Sequence, residues 1–374
     1  MKVLSSQNII FSGSKQPHQA LFFNRSNRSI LRSQDTVKFG QHEKADPPLN
    51  LGILVGNIHE TERADIDRLR IVAEARGHHV TVLPIEDCQA VLKDGKALLM
   101  KQGQPVRNID VVLPRLGSVS ALKDLAQAEL ILEQCRAAGF PILEKSPDAI
   151  PIAINKFRTH QVLTLKGVPT LNSAFSVNLE KHPNILNLIA NGKDLIVKLI
   201  SGSVGDSVFL TPLDKLNELL EKLKPHSTPT IIQEFSAEAK GADLRSFVVG
   251  NEVIANVGRQ AVNGNWKSNV TTGGKATNVP EIPANQKKLA INAVKALGLA
   301  YGGVDIIETE KGPRVIEVNA SPSLTTMEKY TGGIGTPELV QHTENFVAQQ
   351  RRKKTIIAPK PLRAYITVPS LKAL

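Results

Sequence analysis

From Leu51 onward the chain alternates between two hydrophobic patterns. LGILVGN (51–57) is an almost unbroken apolar run, as expected of a strand buried on both faces. From Glu60 to Ala75, Ile66, Leu69, Val72 and Ala73 repeat at a helical period, which predicts an amphipathic helix that Gly77 ends. HVTVLPI (79–85) and DVVLPR (110–115) predict two more strands, and Leu122–Ala138 a second helix closed by Gly139. Strands alternating with helices imply a parallel sheet covered on both faces, so residues 51–148 read as a small α/β domain.

Beyond residue 149 the pattern changes to α+β. Asn155–Lys166 is helical and ends at Gly167 and Pro169. DLIVKLI (194–200), VFLT (208–211) and TIIQEF (230–235) predict strands, with a loop, SGSVGDS, at 201–207 and an amphipathic helix over Leu213–Leu223. DLRSFVVG (243–250), EVIANVGRQA (252–261) and WKSNV (266–270) predict three strands turning at Gly250-Asn251 and Asn263-Gly264. A helix over Ala284–Leu297, strands at 302–309 and 313–320, and a helix from Pro337 to about Gln350 complete a second domain of 149–350. No repeat at a solenoid period is visible.

Composition changes this picture only at the ends. With 374 residues, 41% apolar and 22% charged, the chain can bury a sizeable core. No apolar run approaches the ~18 residues of a membrane span. The net charge of +11 resides in residues 1–50 (+4) and 351–374 (+7), so the body between them is neutral and the high isoelectric point says little about its partners. Residues 1–48, rich in Ser, Asn, Gln and Arg without a sustained period, read as a basic, disordered extension, and 351–374 as a basic tail. The first 34 residues lack acids, as transit peptides do, but show neither their amphipathic helix nor the apolar core of a secretory signal. Cys88 and Cys135 form no metal or disulfide pattern. A cytoplasmic protein is expected.

Four groups of residues carry candidate chemistry. Asp305 in GGVDII, with Glu317 and Asn319 in VIEVNASPS, offers three oxygen donors; residues two apart on a strand share a face, so Glu317 and Asn319 project together with Ile316 and Val318 behind them. Oxygen donors without His or Cys suit Mg²⁺ or Mn²⁺ rather than zinc, although a solvated strand face would have the same residues. Lys198 stands inside an apolar strand, which is costly without an anion, and Gly202 and Gly205 after it would let backbone amides approach phosphate. An edge-strand lysine beside an ordinary hairpin would look alike, and the loop is not a Walker A motif. Glu234 and Phe235 end an apolar strand, where adenine and ribose contacts often arise. Arg245, Arg259, Lys267, Ser268 and Asn269 follow, and could neutralise a transferring phosphate or hold an anionic substrate.

In this order these segments resemble the ATP-grasp superfamily, and within it the RimK-type α-L-glutamate ligases. The resemblance runs over about 51–345 through VLPRLG (112–117), NKFRTHQVL (155–163), IVKLISGSVG (196–205), QEFSAEAKGADLRSFVVG (233–250), KSNVTTGG (267–274) and GVDII…IEVNASPSL. It implies an ATP-grasp fold preceded by a pre-ATP-grasp α/β domain. It assigns Lys156 and Lys198 to ATP phosphates, Glu234 and Phe235 to adenine, and Asp243 with Lys267, Ser268 and Asn269 to the nucleotide. It makes Asp305, Glu317 and Asn319 ligands of two Mg²⁺ or Mn²⁺ ions, and turns Arg115, Arg245 and Arg259 to the substrates, the last two as catalytic residues.

The activity so implied activates a carboxylate with ATP as an acyl phosphate and joins it to glutamate. The acceptor would be a protein or peptide C-terminus, such as that of a small-subunit ribosomal protein, and the enzyme a homo-oligomer. Two other readings are a ligase adding an amino acid to a small cofactor or carrier protein, and a catalytically weak, nucleotide-dependent ribosome-binding protein. The chain departs from the family pattern at Ser207, where a further loop glycine is usual after Gly205 and Asp206, and at Lys267, which replaces an arginine.

Overall fold

The apolar runs form strands close to where the pattern predicts them. The computed structural model describes residues 47–56, 60–116, 122–176, 184–190, 194–200, 207–223, 229–239, 241–262, 264–270 and 273–357. β1 (Asn50–Val55), α1 (Glu60–Ala75) and β2 (His79–Pro84) are followed by β3 (Cys88–Lys93), β4 (Lys96–Lys101), β5 (Gln104–Pro105), β6 (Val111–Arg115) and α2 (Leu122–Ala137). β1 lies between β2 and β6 and pairs parallel to both, as alternating strands and helices require. β3, β4 and β5 form an antiparallel meander that the periodicity did not predict. Its two turns, Asp94-Gly95 and Gln102-Gly103, have positive φ at both residues, the geometry that matches the twist of a tight hairpin. The Gln134 amide on α2 donates to the carbonyls of Val91 and Leu98 and ties the meander to the helix.

The second segment contains two antiparallel sheets. α3 (Ala149–Ile154), α4 (Lys156–Leu165), β7 (Ser173–Phe175), α5 (Asn184–Ala190), β8 (Leu195–Leu199), β9 (Val208–Thr211), α6 (Leu216–Leu223) and β10 (Thr230–Glu234) build the first, in the order β7-β10-β8-β9. Then come β11 (Ala242–Val249), β12 (Glu252–Gln260), β13 (Lys275–Asn278), α7 (Ala284–Leu297), β14 (Tyr301–Thr309), β15 (Gly312–Asn319), α8 (Leu324–Thr331) and α9 (Thr336–Ile357). The second sheet runs β13-β12-β11-β14-β15. WKSNV is not a strand: β12 pairs instead with β13, and residues 264–270, which precede β13, belong to no strand. α9 continues past residue 350, because its Arg and Lys residues are good helix formers near a helix C-terminus, and Arg351 donates to Asp110 Oδ1 at 2.9 Å. Among the described residues no helix is long and apolar enough to cross a membrane.

Packing joins what the sequence divides at 148/149. Leu132 and Cys135 of α2 share a core with Ala290, Val294 and Leu297 of α7 and with Val304 and Val318. Leu69 and Val72 of α1 share another with Phe247, Leu324, Leu339 and Val340. The four-stranded sheet keeps a smaller core of its own, including Leu195, Val197, Leu216 and Ile232. Gly298 ends α7 at φ +73°, and its carbonyl accepts from the N–H groups of Lys145 and Ser146. A Cβ there would sit 2.5 Å from that of Ser146, so only glycine fits the junction.

Glu144 lies at the same junction. Its Oε2 accepts from Ala300 N–H at 2.6 Å, its Oε1 has no partner, and burial pushes its pKa up to about 8. A carboxyl whose folded pKa lies above its unfolded value stabilises fully below the unfolded value and loses that contribution as pH rises through about 8. The melting temperature of the native chain should therefore fall between about pH 4.5 and 8 and level off above, and Glu144→Gln, which cannot ionise, should flatten that decline. Equal slopes for the two proteins would show that Glu144 is not held as the acid.

Candidate functional site

A cleft of about 610 Å³ is lined by thirteen of the candidate residues, Arg115 not among them: Lys156, Lys198, Glu234, Phe235, Asp243, Arg245, Arg259, Lys267, Ser268, Asn269, Asp305, Glu317 and Asn319. Strand register accounts for the centre of it. Asp243 on β11 is opposite Arg259 on β12, Arg245 on β11 is opposite Asp305 on β14, and Asp305 is opposite Glu317 on β15. Opposed side chains on one face touch, and here acid and base pair across β12, β11 and β14, while Asp305 and Glu317 set two acids side by side on β14 and β15. Arg245 grips Asp305 through Nε and Nη2, both at 2.7 Å. Arg259 grips Asp243 at 2.6 and 2.5 Å and reaches Asp305 at 2.9 Å. Burial acts to raise the pKa of Asp305, but the two guanidiniums overcome it and hold the carboxyl at about 2.

The fork of Arg259 is thus occupied by carboxylates of the chain itself. A substrate carboxylate could take it only by exchange.

One feature of β15 departs from strict alternation. The register between β14 and β15 shifts at Asp305/Ile306, so that Glu317 is opposite Asp305 while Val315 is opposite Ile306. Ile316 is the extra residue of a β-bulge and lines the cleft beside Glu317, while Val318 is buried at 2% exposure. Ile316 and Val318 both line the cleft, so the bulge breaks the two-residue period here.

The opposite wall is basic. Lys198 on β8 is 9% exposed; burial, with Lys156 adding to it, lowers its pKa to about 8 against the pull of Glu317 and Asp305. Lys156 Nζ lies 3.9 Å from Glu317 Oε1. Beneath Lys198, burial and that lysine's charge push His160 down to about 3, so it is a neutral imidazole. Ser207 is buried and its carbonyl accepts from Leu199 N–H; Gly202, Gly205 and Asp206 lie outside the described residues.

At the strand end, Glu234 is more constrained than its sequence suggests. Both its carboxylate oxygens accept from Asn172, at 2.9 Å each, and its N–H and that of Phe235 donate to the carbonyls of Asn172 and Asp194. Glu234 and Phe235 both line the cleft at this point. Trp266 packs edge-on to that ring with centroids 6.2 Å apart, and Lys267 Nζ stands 5.3 Å above the indole. Ser268 Oγ donates to Asp243 Oδ2 at 2.8 Å, joining the segment 264–270 to the charge ladder. A Cβ at Gly274 would lie 2.1 Å from the Ser268 carbonyl, so this closure requires glycine.

Arg115 does not face the substrates. It is fully buried, donating to Glu62, Asp65 and the Pro322 carbonyl. Burial opposes its charge, and the two acids restore it. Asp65 also accepts from Leu324 N–H, Thr325 N–H and the Thr325 hydroxyl, and so fixes the turn that follows Asn319. The sequence held a signal for this: Asp65 occupies the apolar stripe of α1, four and seven residues before Leu69 and Val72. Glu62, Gln233, Trp266 and Ser321 also line the cleft without having been singled out in the sequence.

The donors fit a hard divalent cation. Among the described residues no cluster of three His, Cys, Asp or Glu exists, but two carboxylates and one amide converge here. Asn319 Nδ2 and Ser321 Oγ are buried without partners, and half a turn of the Asn319 amide would place an oxygen at the orphaned position.

The RimK pre-ATP-grasp domain model matches residues 49–149, and the RimK-like ATP-grasp domain model matches 153–341. A probable alpha-L-glutamate ligase of Stenotrophomonas maltophilia (strain K279a) is 35% identical over 281 residues, covering 75% of this chain and 94% of that protein. Probable alpha-L-glutamate ligase 1 of Shewanella sp. (strain ANA-3) is 31% identical over 294 residues, covering 78% and 95%. The fold is also that of the D-alanine–D-alanine ligase from Bacillus anthracis complexed with ATP, with a TM-score of 0.59, 17% identity and 82% and 99% coverage. The ATP-grasp ligase PsnB complexed with a phosphomimetic variant of its minimal precursor, Mg and ADP gives a TM-score of 0.57 at 20% identity, with 80% and 98% coverage.

The charge ladder yields a stability contrast. Arg259→Met leaves Asp243 and Asp305 buried with fewer cations and should cost about 3–5 kcal/mol in urea denaturation. Glu317→Gln, whose side chain is 35% exposed, should cost under about 1 kcal/mol. A small loss in Arg259→Met would show that the ladder is not what holds the two carboxylates in place.

Proposed function

The chain belongs to the RimK-like ATP-grasp family, and we propose that it is an ATP-dependent ligase that joins glutamate to the C-terminal carboxylate of a protein or peptide. The observation that carries this is the convergence of Asp305, Glu317 and Asn319 with Lys156 and Lys198 on one cleft. That arrangement suits a triphosphate held between cations and a metal-binding strand pair. The names of its relatives support glutamate as the incoming amine.

In this reading Lys156 and Lys198 bind phosphate oxygens, and anion binding restores to Lys198 the charge that burial weakens. Phe235 packs against the base. Asp305, Glu317 and Asn319 would hold Mg²⁺ or Mn²⁺, which neutralises charge on the β- and γ-phosphates. The acceptor carboxylate attacks the γ-phosphorus, the bond to the bridging oxygen breaks, and ADP leaves an acyl phosphate. The glutamate amine then attacks the acyl carbon, loses a proton and expels inorganic phosphate, forming the amide. The side chains act by position and charge rather than as covalent nucleophiles. Arg245 and Arg259 act by keeping Asp305 ionised and by fixing the positions of Asp305 and Asp243. A small-subunit ribosomal protein C-terminus is the acceptor we favour. The retained carboxylate pair and lysines speak against a non-catalytic binding protein.

The test is ADP release with a peptide acceptor and a panel of amino acids. Glutamate should support turnover, and Glu317→Gln should lower it on the order of 100-fold with the fold intact. Preference for lysine or a neutral amino acid would overturn the glutamate assignment. Near-native turnover in Glu317→Gln at saturating Mg²⁺ would overturn the metal assignment.

A further inference from the structure

Behind the cleft floor lies a recess of about 10 Å³, lined among others by Lys156, Thr159, His160, Ile316 and Glu317. That is room for about one water molecule. His160 is 4% exposed and projects from the buried face of α4 that also carries Thr159 and Leu163. Its Nε2 lies 3.3 Å from Gln233 Nε2, and that amide nitrogen also donates to Ser173 Oγ at 2.9 Å. An amide nitrogen can only donate, so imidazole Nε2 is the acceptor and the ring proton is on Nδ1. Nδ1 is buried and lacks a hydrogen-bond partner; the Ile316 carbonyl is near enough to favour its proton but outside hydrogen-bond geometry. His160 and Glu317 both line this water-sized recess, and a buried donor without a partner there leaves a hydrogen-bond chain incomplete.

We propose that His160 is a positioning residue, whose Nδ1–H donates to one buried water that in turn donates to the Glu317 carboxylate and so fixes the orientation of that carboxylate beside the bulge at Ile316. Through Gln233 the same imidazole ties β10, on the nucleotide side of the cleft, to β15 on the cation side. The water fills the recess with polar partners on both sides, which an apolar side chain in place of His160 would remove. This inference rests on the proposed role of Glu317 as a cation ligand. Partners that orient a ligating carboxylate typically account for a 10–100-fold change in metal affinity.

The experiment measures Mn²⁺ binding by electron paramagnetic resonance, in the full chain with a non-hydrolysable ATP analogue, for wild type, His160→Leu and His160→Gln. His160→Leu should weaken Mn²⁺ about 10- to 100-fold while affinity for the analogue without metal changes less than about twofold. His160→Gln keeps a donor and should recover most of the loss. Nitrogen-15 resonances of the wild-type imidazole should report the Nδ1–H tautomer between pH 5.5 and 8.5, and a high-resolution crystal structure should show a water in the recess. Unchanged Mn²⁺ affinity in His160→Leu, an Nε2–H tautomer, or an empty recess would each overturn the proposal. If wild type binds no Mn²⁺, the cation reading of Glu317 fails, and the tautomer and the crystal structure still decide whether the bridge exists.

Discussion

A carboxylate at 2% exposure stays ionised only where cations offset its lost hydration, and Asp305 obtains them from Arg245 and Arg259. The rest of the cleft follows from that requirement. Asp243 satisfies the fork of Arg259, Ser268 satisfies a lone pair of Asp243, and the segment 264–270 is thereby tied to β11. Because antiparallel strands place residues directly opposite, alternating the signs of charge along Arg259, Asp243, Arg245, Asp305 builds the network from register alone. No flexible segment has to search for its partner.

A second buried ion cluster extends this rigidity across the boundary between the two family-model matches. Arg115 and Asp65 belong to the first segment, and their partners Pro322, Leu324 and Thr325 belong to the second. The turn after Asn319 is therefore set by a helix that precedes it by some 250 residues in the chain. With the shared apolar cores, this makes the first segment part of the cleft's framework rather than an appendage.

Much of this was legible in the chain. Apolar runs and helical periods found the parallel sheet, the long helices and the paired strands β14 and β15, and the polar residues interrupting those runs located the cleft. What was not legible depended on pairing. The Asp94-Gly95 turn between CQAVLK and KALLMK was a hairpin signal of the standard kind, but mixed polarity on both sides obscured the strands. WKSNV has strand-like composition yet lacks a neighbour, since β12 takes Lys275–Asn278 instead. The bulge at Ile316 is invisible in a period-two reading, because nothing in VIEV marks which residue is extra. The family resemblance turned Arg115 to the substrates, and nothing in the sequence around a charged residue ending an apolar strand tells a ligand from a buried aspartate as its partner.

Trp266 is the chain's single tryptophan, and it stands on the cleft wall against Phe235 with the Lys267 ammonium above its ring. Indole emission from this protein therefore has one source, and that source is at the cleft. A nearby cation and an edge-on phenyl ring set the electric field at the indole, so displacement of either changes the colour and yield of the emitted light. The molecule thus contains its own optical gauge of what enters the cleft, without any label.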